Sequence, residues 1–561
     1  MLAWLPVAGR SGSSRRRAAR LSAVIMGCCA ATALAACSSS APGSSATTGT
    51  AASALASASA TAPNGITAQT LTLQYEEPTS LNPALGGIQE IAVVYQGLAY
   101  DSLIYQEQDG SFVPDLAVNW GYVAGSGNKS FHLTLRSGVK FSDGSPLTAQ
   151  AVANSLEYFK KAAGPQSDLL AGVVNIKVTG PLALTLNFAT ATPDLPFLLS
   201  QSENVGAIIG PAGLASPASL NTQSDGIGPY TLSPSGIIAN TQYTYQANLA
   251  YWNQSAVHYH TVVIKVIDDP NTILSSVQSG EVDAALQDLS PSTEATAKAA
   301  GMTVLPTPYA ISSLVLADRD GTISPLGKLA VRQAINDAID RSSVSTAIAG
   351  SNAAPTDQVV VDGAPGYNAS LKNYYSYDVT KAKSLLAQAG YPNGFTLPVL
   401  DSATLDPNSV IGQALVSELQ AVGIQAKLTV EPTFAQFIPA AMSKKYPAIV
   451  LPVTASGTGF YYAMQFVLGG FFNPFGATSP QLTSLLGQIA TATTASQESS
   501  AAEQVNSWLV KQAWFAPITP LSYIYLVGPK VAGVQSVSPS SAGTLNPVGP
   551  LPSLSWYAKA S

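Results

Sequence analysis

Cysteine is almost missing from this chain: Cys28, Cys29 and Cys37 are the only three, and none follows position 37. No internal disulfide can therefore brace the bulk of the 561 residues. That length suffices for two or three domains held by apolar cores, so the lack of bridges is no obstacle to folding. Charge is scarce too. Only 10% of residues are charged, against about 25% in ordinary domains, with Ala, Ser and Thr filling the difference. From Tyr446 through Gln497 there is no charged side chain at all. The sequence has no GxxxxGK[ST] loop, which excludes a P-loop nucleotide site, and no GxSxG elbow. Ser137, Gly138, Val139 and Lys140 spell S-x-x-K, but that chemistry needs the serine at a helix start, and this tetrad falls between a strand and a turn. After the N-terminal segment no apolar run reaches the roughly 20 residues of a membrane span, because Gln465, Gly469, Gly470 and Pro474 interrupt the longest one.

The N-terminus is basic and then apolar. Arg10, Arg15, Arg16, Arg17 and Arg20 precede the run Leu21 to Ala33, the pattern of an export signal. Leu34, Ala35, Ala36 and Cys37 form a lipobox, so residues 1–36 are expected to be removed and Cys37 to carry a diacylglyceryl group. Cleavage at Cys28 instead would leave only about seven apolar residues before the cut. Two acyl chains give lasting attachment where one holds marginally. Residues 37–65 are almost entirely Ser, Ala, Thr, Gly and Pro without charge, the composition of a flexible tether. Losing five arginines and no acid takes the net charge from −6 to −11, which argues against nucleic acid as a partner.

Downstream, the clearest grammar lies between Phe131 and Phe159. Phe131, Leu133 and Leu135 alternate with polar residues as a half-buried strand, and Ser142, Asp143 and Gly144 supply a turn. Thr148 is placed to N-cap an amphipathic helix bearing Val152, Leu156 and Phe159. Further units alternate strand and helix. Val262 to Ile267 precedes a helix capped by Asp269, begun by Pro270 and ended by Gly280. Phe395 to Leu400, a helix with Ile411, Leu415 and Leu419 on one face, and Ile424 to Val430 make a βαβ unit. The fold class is α/β.

Six segments together resemble the family 5 extracellular solute-binding proteins, which serve peptide, nickel and related ABC importers. They are Tyr100 to Trp120, Phe131 to Phe159, Gly226 to Tyr230 (GIGPY) with Tyr251 and Trp252, Gly280 to Asp283, Val331 to Arg341 (VRQAINDAIDR) and Asp378 to Gly394, in the family's order. The resemblance implies a periplasmic-binding-protein-like type II two-lobed clamshell with an extra domain in the first lobe. Residues 66–308 and 515–561 form lobe 1, with an inserted domain at about 106–220, and 309–514 form lobe 2. The crossings are expected near Pro308 and Trp514. It also implies a monomer that binds ligand between the lobes, a permease and ATPase as partners, and residence on the outer face of the cytoplasmic membrane.

By position within the family, Gly87 and Gln89 are expected to touch ligand from lobe 1, and Thr454, Ser456, Thr458, Phe460, Tyr461 and Tyr462 from lobe 2. Peptide-binding relatives carry a tryptophan and an acid in the latter stretch, and neither is present here. An ammonium buried without a counter-charge costs several kcal/mol, so the expected guest is neutral, polar or apolar, unless an acid reaches in from elsewhere. His258 and His260 flank Tyr259 in the spacing that offers imidazoles to Ni²⁺ or Zn²⁺. No Asp, Glu or Cys stands nearby in sequence to complete a shell, so they are expected as surface strand residues, with no metal and no cofactor. A sensory co-receptor using the same cleft, a nickel or haem carrier, and an exported hydrolase remain the alternative functions.

Overall fold

The computed structural model describes residues 64–86, 94–107, 111–162, 164, 167–287, 291–453, 460–534 and 556–559. Cys37, the tether as far as residue 63, Gly87, Gln89, and Thr454, Ser456 and Thr458 lie outside the described residues.

In chain order the strands are β1 (Ala68–Tyr75), β2 (Ile104–Gln106), β3 (Phe112–Pro114), β4 (Ala117–Tyr122), β5 (Ser130–Leu135), β6 (Val173–Gly180), β7 (Ala183–Phe188) and β8 (Tyr230–Ile238). They continue with β9 (Gln242–Ala247), β10 (Tyr259–Val266), β11 (Ala284–Gln287), β12 (Thr303–Leu316), β13 (Thr396–Ser402), β14 (Gln425–Glu431), β15 (Ala448–Val453) and β16 (Phe515–Val527). The helices that matter below are α1 (Ala149–Lys161), α2 (Pro270–Ser279), α3 (Leu329–Asp337), α4 (Arg341–Ala349), α5 (Val379–Gln388), α6 (Val410–Ala421), α7 (Phe460–Val467), α8 (Pro480–Thr491) and α9 (Ala495–Lys511).

Local sequence grammar accounts for many of these elements. In β5, Phe131, Leu133 and Leu135 are buried, and the Thr148 hydroxyl accepts from Ala151 N at 3.1 Å to start α1. Asp269 caps α2 through Thr272 N, and Gly280 ends it at a φ of 75°, where a side chain would be strained. β13 and β14 pair in parallel across α6, as a βαβ unit must.

Ten strands form one sheet in the order β14, β13, β15, β12, β16, β11, β1, β10, β9, β8. A separate four-stranded sheet, β4, β5, β7, β6, carries α1 on it. The large sheet has two halves with distinct cores. Leu71, Phe131, Tyr245 and Ile264 belong to one cluster, which the late residues Tyr525 and Trp556 join. In the other half, Val315 and Leu451 pack on one face and Leu314 and Leu316 on the other, so β12 is covered on both sides there.

Among the described residues only β12 and β16 run through both halves. Residues 303–308 of β12 pair with 522–527 of β16, and 310–315 pair with 515–521. The register shifts between Pro308 and Ala310 and again between Ser312 and Ser313. Pro306, Pro308, Pro517 and Pro520 cannot donate to the ladder, so the joint between halves is where backbone bonding is thinnest. Pro308 lies opposite Ser522, which sets the second passage several residues beyond the expected Trp514. The sequence around Trp514 resembles a helix end, and β16 then continues straight through the joint.

Candidate functional site

Strand direction defines where a ligand can enter. β1, β10 and β11 are mutually parallel, and both β11 and β12 run antiparallel to β16. β15 is antiparallel to β12, and β13 and β14 run with β15. The carboxyl ends of β1, β10 and β11 therefore point toward the joint from one half, and those of β13, β14 and β15 point back from the other. Such opposed strand ends at a crossing are where α/β folds leave a crevice for ligands.

Carboxylates crowd these ends. Glu76 and Glu77 follow β1, and Asp268 and Asp269 follow β10. Burial, then the charge of Asp268, holds the Glu76 carboxyl above its usual range. Glu77 Oε1 accepts from Tyr243 Oη at 2.5 Å and from Asn240 N at 3.3 Å. At the end of β13, Asp401 is fully buried, and burial together with Asp406 pushes it up to about 7. Asp406 itself caps α6, accepting from Ile411 N at 3.2 Å and Gly412 N at 2.9 Å.

The segment after β15 leads into α7. Phe460, expected among the ligand contacts, is 1% exposed, packs in the core of its half and faces Gly366 and Ala502. The structure thus assigns its ring to the core, as it does Met464 and Val467 on the same helix. Tyr461 is half-buried, and burial with the charge of Asp194 raises its phenol. Tyr462 lies in α7, and its side chain is outside the described residues.

The stretch without charge is not left without an acid. Asp194, from the loop beyond the four-stranded sheet, accepts a hydrogen bond from Tyr461 N in the first turn of α7 and lies beside Glu498 in the first turn of α9. Sequence reasoning missed both. Asp194 sits in an unremarkable Thr-Pro-Asp-Leu-Pro context, and Glu498 follows the uncharged run directly, which is the one signal that could have pointed to it. Nearby, Asn128 Nδ2 donates to Ala490 O at 3.2 Å and Ala492 O at 2.7 Å at the end of α8.

The histidine pair does not form a metal face. His258 is 2% exposed, its Nδ1 is 3.4 Å from Gly65 O, and its ring meets Tyr557 edge-on, whereas His260 is exposed. The expectation of two surface strand histidines fails for His258, which precedes the strand and fills the packing beneath it. Among the described residues no group of three His, Cys, Asp or Glu side chains could hold a metal ion. The Ser137 to Lys140 tetrad follows β5, with Gly138 at a φ of 75° and Lys140 bridged to Pro146, so it does not begin a helix. Among the described residues no helix is long and apolar enough to cross a membrane.

Several segments that carry the resemblance converge in a buried polar knot instead of the crevice. Asp101 accepts from Trp252 Nε1 at 2.7 Å and Tyr251 Oη at 3.1 Å. Arg136 lies 4.0 Å over the Trp252 ring and donates to Asp115 O at 3.1 Å. Burial pushes Asp101 up to about 7 against those hydrogen bonds and the charge of Arg136. The knot fastens the first half and offers nothing to a ligand.

Comparison with known proteins agrees with this arrangement. The family described as bacterial extracellular solute-binding proteins, family 5 Middle, matches residues 111–474. The glutathione-binding protein GsiB of Salmonella typhi is 27% identical over 319 residues, 55% of this chain and 59% of that one. The nickel-binding periplasmic protein of Escherichia coli (strain K12) is 28% identical over 342 residues, 59% of this chain and 62% of that one. The matches thus span less than two thirds of these relatives' length. Among solved structures, PBP AgaA in complex with agropinic acid from A.tumefacien R10 is 23% identical with a TM-score of 0.71, covering 88% of this chain and 99% of that chain. NikA from Brucella suis in complex with Fe(III)-EDTA is 21% identical with a TM-score of 0.72, covering 87% and 100%. These likenesses give the fold, a type II periplasmic-binding-protein architecture of two lobes. With most of its described length matched by the family pattern, this chain belongs to the family 5 bacterial extracellular solute-binding proteins.

Proposed function

We propose that the chain is the solute-capturing lipoprotein of an ABC importer, closing two lobes on a small guest and presenting it to a permease and its ATPase. The observation that carries this reading is the opposition of two sets of parallel strand ends across a joint of only two strands. Lobe 1 comprises residues 66–308 and the chain after the joint, and lobe 2 the residues between. The hinge is Pro308 to Ala310 with Leu521 and Ser522, where the register shifts. A guest bridging both lobes stabilises the closed state by its differential affinity for it. No bond of the guest is made or broken.

Gly87, Gln89, Thr454, Ser456, Thr458, Tyr461 and Tyr462 form the ligand contacts in this reading, and Phe460 supports them from behind. The guest is peptide-like or another small polar compound. Glu76 and Asp268, at the ends of β1 and β10, remove the main objection to a free amine, since a counter-charge is at hand. Native mass spectrometry of protein purified without refolding tests the reading: a co-purified species of defined mass, recovered chemically unaltered, is the expected result. A guest released in altered form, or no binding across peptide and small-solute panels, overturns it.

Attachment is a separate prediction. Intact mature protein should carry a diacylglyceryl mass on Cys37, and Cys37→Ser should abolish that mass and leave residues 1–36 uncleaved, because the lipobox that directs the cut is gone. Wild-type mature protein without the diacylglyceryl mass, or a Cys37→Ser protein still cut before residue 37, sinks the lipobox assignment.

A further inference from the structure

Asn128 and Asp194 form one contact surface. Both adopt left-handed backbone, each with a φ of 59°, and Thr192 N donates to Asn128 O at 3.0 Å, so the two turns are tied together. Tyr122 of β4 completes the brace: its Oη donates to Thr192 O at 2.7 Å and accepts from Leu195 N at 3.3 Å. From this braced platform, Asn128 reaches the carbonyls at the end of α8, while Asp194 reaches α7 and α9. All three helices belong to the other half of the large sheet's chain, so these side chains bridge the two lobes.

The Asp194 contact differs in kind from the Asn128 contact. An amide donating to carbonyls is indifferent to pH. Two carboxylates, by contrast, cannot donate to each other, and a bond between Asp194 and Glu498 exists only with a proton held between them. Without that proton, Asp194 Oδ2 is buried with no donor, in a side chain only 9% exposed. The titratable groups facing the pair are Tyr122 from β4 and Tyr461 from α7, and both are pushed further toward the neutral phenol by its charge. Among the described residues no lysine or arginine forms an ion pair with either acid.

We propose that Asp194 and Glu498 form a proton-operated latch: closing the lobes takes up one proton between the two carboxyls, and losing it favours opening. The proposal rests on the two-lobed capture reading above. Asp194 also positions α7, since its carboxyl accepts from Tyr461 N at the start of that helix, so closure and the placement of the segment after β15 are coupled.

The sign follows from burial. Desolvation, then the neighbouring Glu498, raises the Asp194 carboxyl well above its ordinary value in the closed arrangement. In the open state the Asp194 carboxyl returns to water and to its ordinary range. A raised closed-state value means that the latch is fully engaged below the open-state value and is lost as pH rises through the closed-state one. Across that window the ratio of closed to open protein falls by up to about tenfold per pH unit.

Small-angle scattering of the ligand-free full chain between pH 5 and pH 8 reads this directly. The wild type should expand as pH rises. Glu498→Gln should stay compact throughout, because its amide donates to Asp194 Oδ2 without needing a proton. Asp194→Asn should behave likewise, and Asp194→Ala should be expanded at every pH. Glu498 is only half-buried on a helix, so its amide variant tests the latch without risk to folding, and circular dichroism confirms that. A wild-type radius unchanged with pH, or a Glu498→Gln profile that keeps the wild-type slope, overturns the latch. If such a protein still retains a co-purified guest in native mass spectrometry, the capture reading stands while the latch falls. A pH-dependent radius in a protein that binds nothing does the reverse.

Discussion

Gly228→Ala should destabilise the protein by about 3 kcal/mol or more, at or beyond the upper end of the usual cost of overpacking. The reason is contact, not backbone conformation, since Gly228 is absent from the left-handed positions. A Cβ there would lie 2.2 Å from the carbonyl carbon of Ala99 and 2.5 Å from its Cα. Those are backbone atoms and cannot swing aside. The two segments are also stitched together, Tyr230 N donating to Leu98 O and Asp101 N to Ile227 O, both at 2.9 Å. Making room would break these bonds and move Asp101, the acceptor at the centre of the Trp252 knot. Against a typical stability of about 5–15 kcal/mol, such a loss is large. Gly487→Ala is the matched control. It lies inside α8 with nothing within 4 Å of its added Cβ, and should gain up to about 1 kcal/mol from helix propensity. Urea midpoints of the two variants should therefore move in opposite directions, and a Gly228→Ala midpoint equal to wild type would refute the packing account.

The GIGPY segment also shows what kind of information the sequence carries. Its glycines, the Asp101 to Trp252 contacts and the residues of VRQAINDAIDR all serve to join one part of the backbone to another. The segments that carry the family resemblance are therefore mostly fastenings, which is why they specify the architecture well and the guest poorly. Strand and helix patterns such as Phe131 to Leu135 or Ile411 to Leu419 were legible for a simpler reason. Burial of one face imposes a period that a local window contains.

What was not legible depends on contacts made across the chain. Asn128 meets Ala490 at a separation of 362 residues, and no local pattern encodes that pairing. Asp194 could not be placed at Tyr461 for the same reason, so a site reading confined to residues 446–497 found hydroxyls and rings but no acid. Phe460 misled in the opposite direction. An aromatic beside a glycine-rich loop has the composition of a ligand contact, and only the approach of Gly366 and Ala502 shows that its ring is enclosed. His258 shows the limit of alternation: the strand begins at Tyr259, so the i, i+2 argument does not apply to a residue just outside it.

Arg341→Met should cost about 3 kcal/mol, comparable to breaking a buried charged network, although methionine preserves much of the side chain's apolar volume. Arg341 closes VRQAINDAIDR and is buried at the start of α4. Its Nε donates to Pro517 O at 2.7 Å, Nη1 to Asn336 O at 2.8 Å and Nη2 to Asn336 Oδ1 at 2.7 Å. Asn336 in turn donates to Phe515 O at 3.1 Å, and Arg332 Nε to Gln512 O at 3.1 Å. Three side chains of one motif thus hold the backbone from Gln512 to Pro517, where β16 begins its run through the joint. Methionine has no donors, so the Pro517 and Asn336 carbonyls would lose Arg341's hydrogen bonds while buried, at about 1–3 kcal/mol for each acceptor left unsatisfied. Relief from burying a cation offsets part of that, because desolvation already lowers the Arg341 guanidinium to about 10. Arg341→Lys should fall between the two, since an ammonium on a single stem cannot span acceptors that the planar fork reaches together. Denaturant midpoints in the order wild type, lysine, methionine are expected. A lysine variant as stable as wild type would show that charge near Asp357 and Asp337, and not the fork geometry, is what this position supplies to β16.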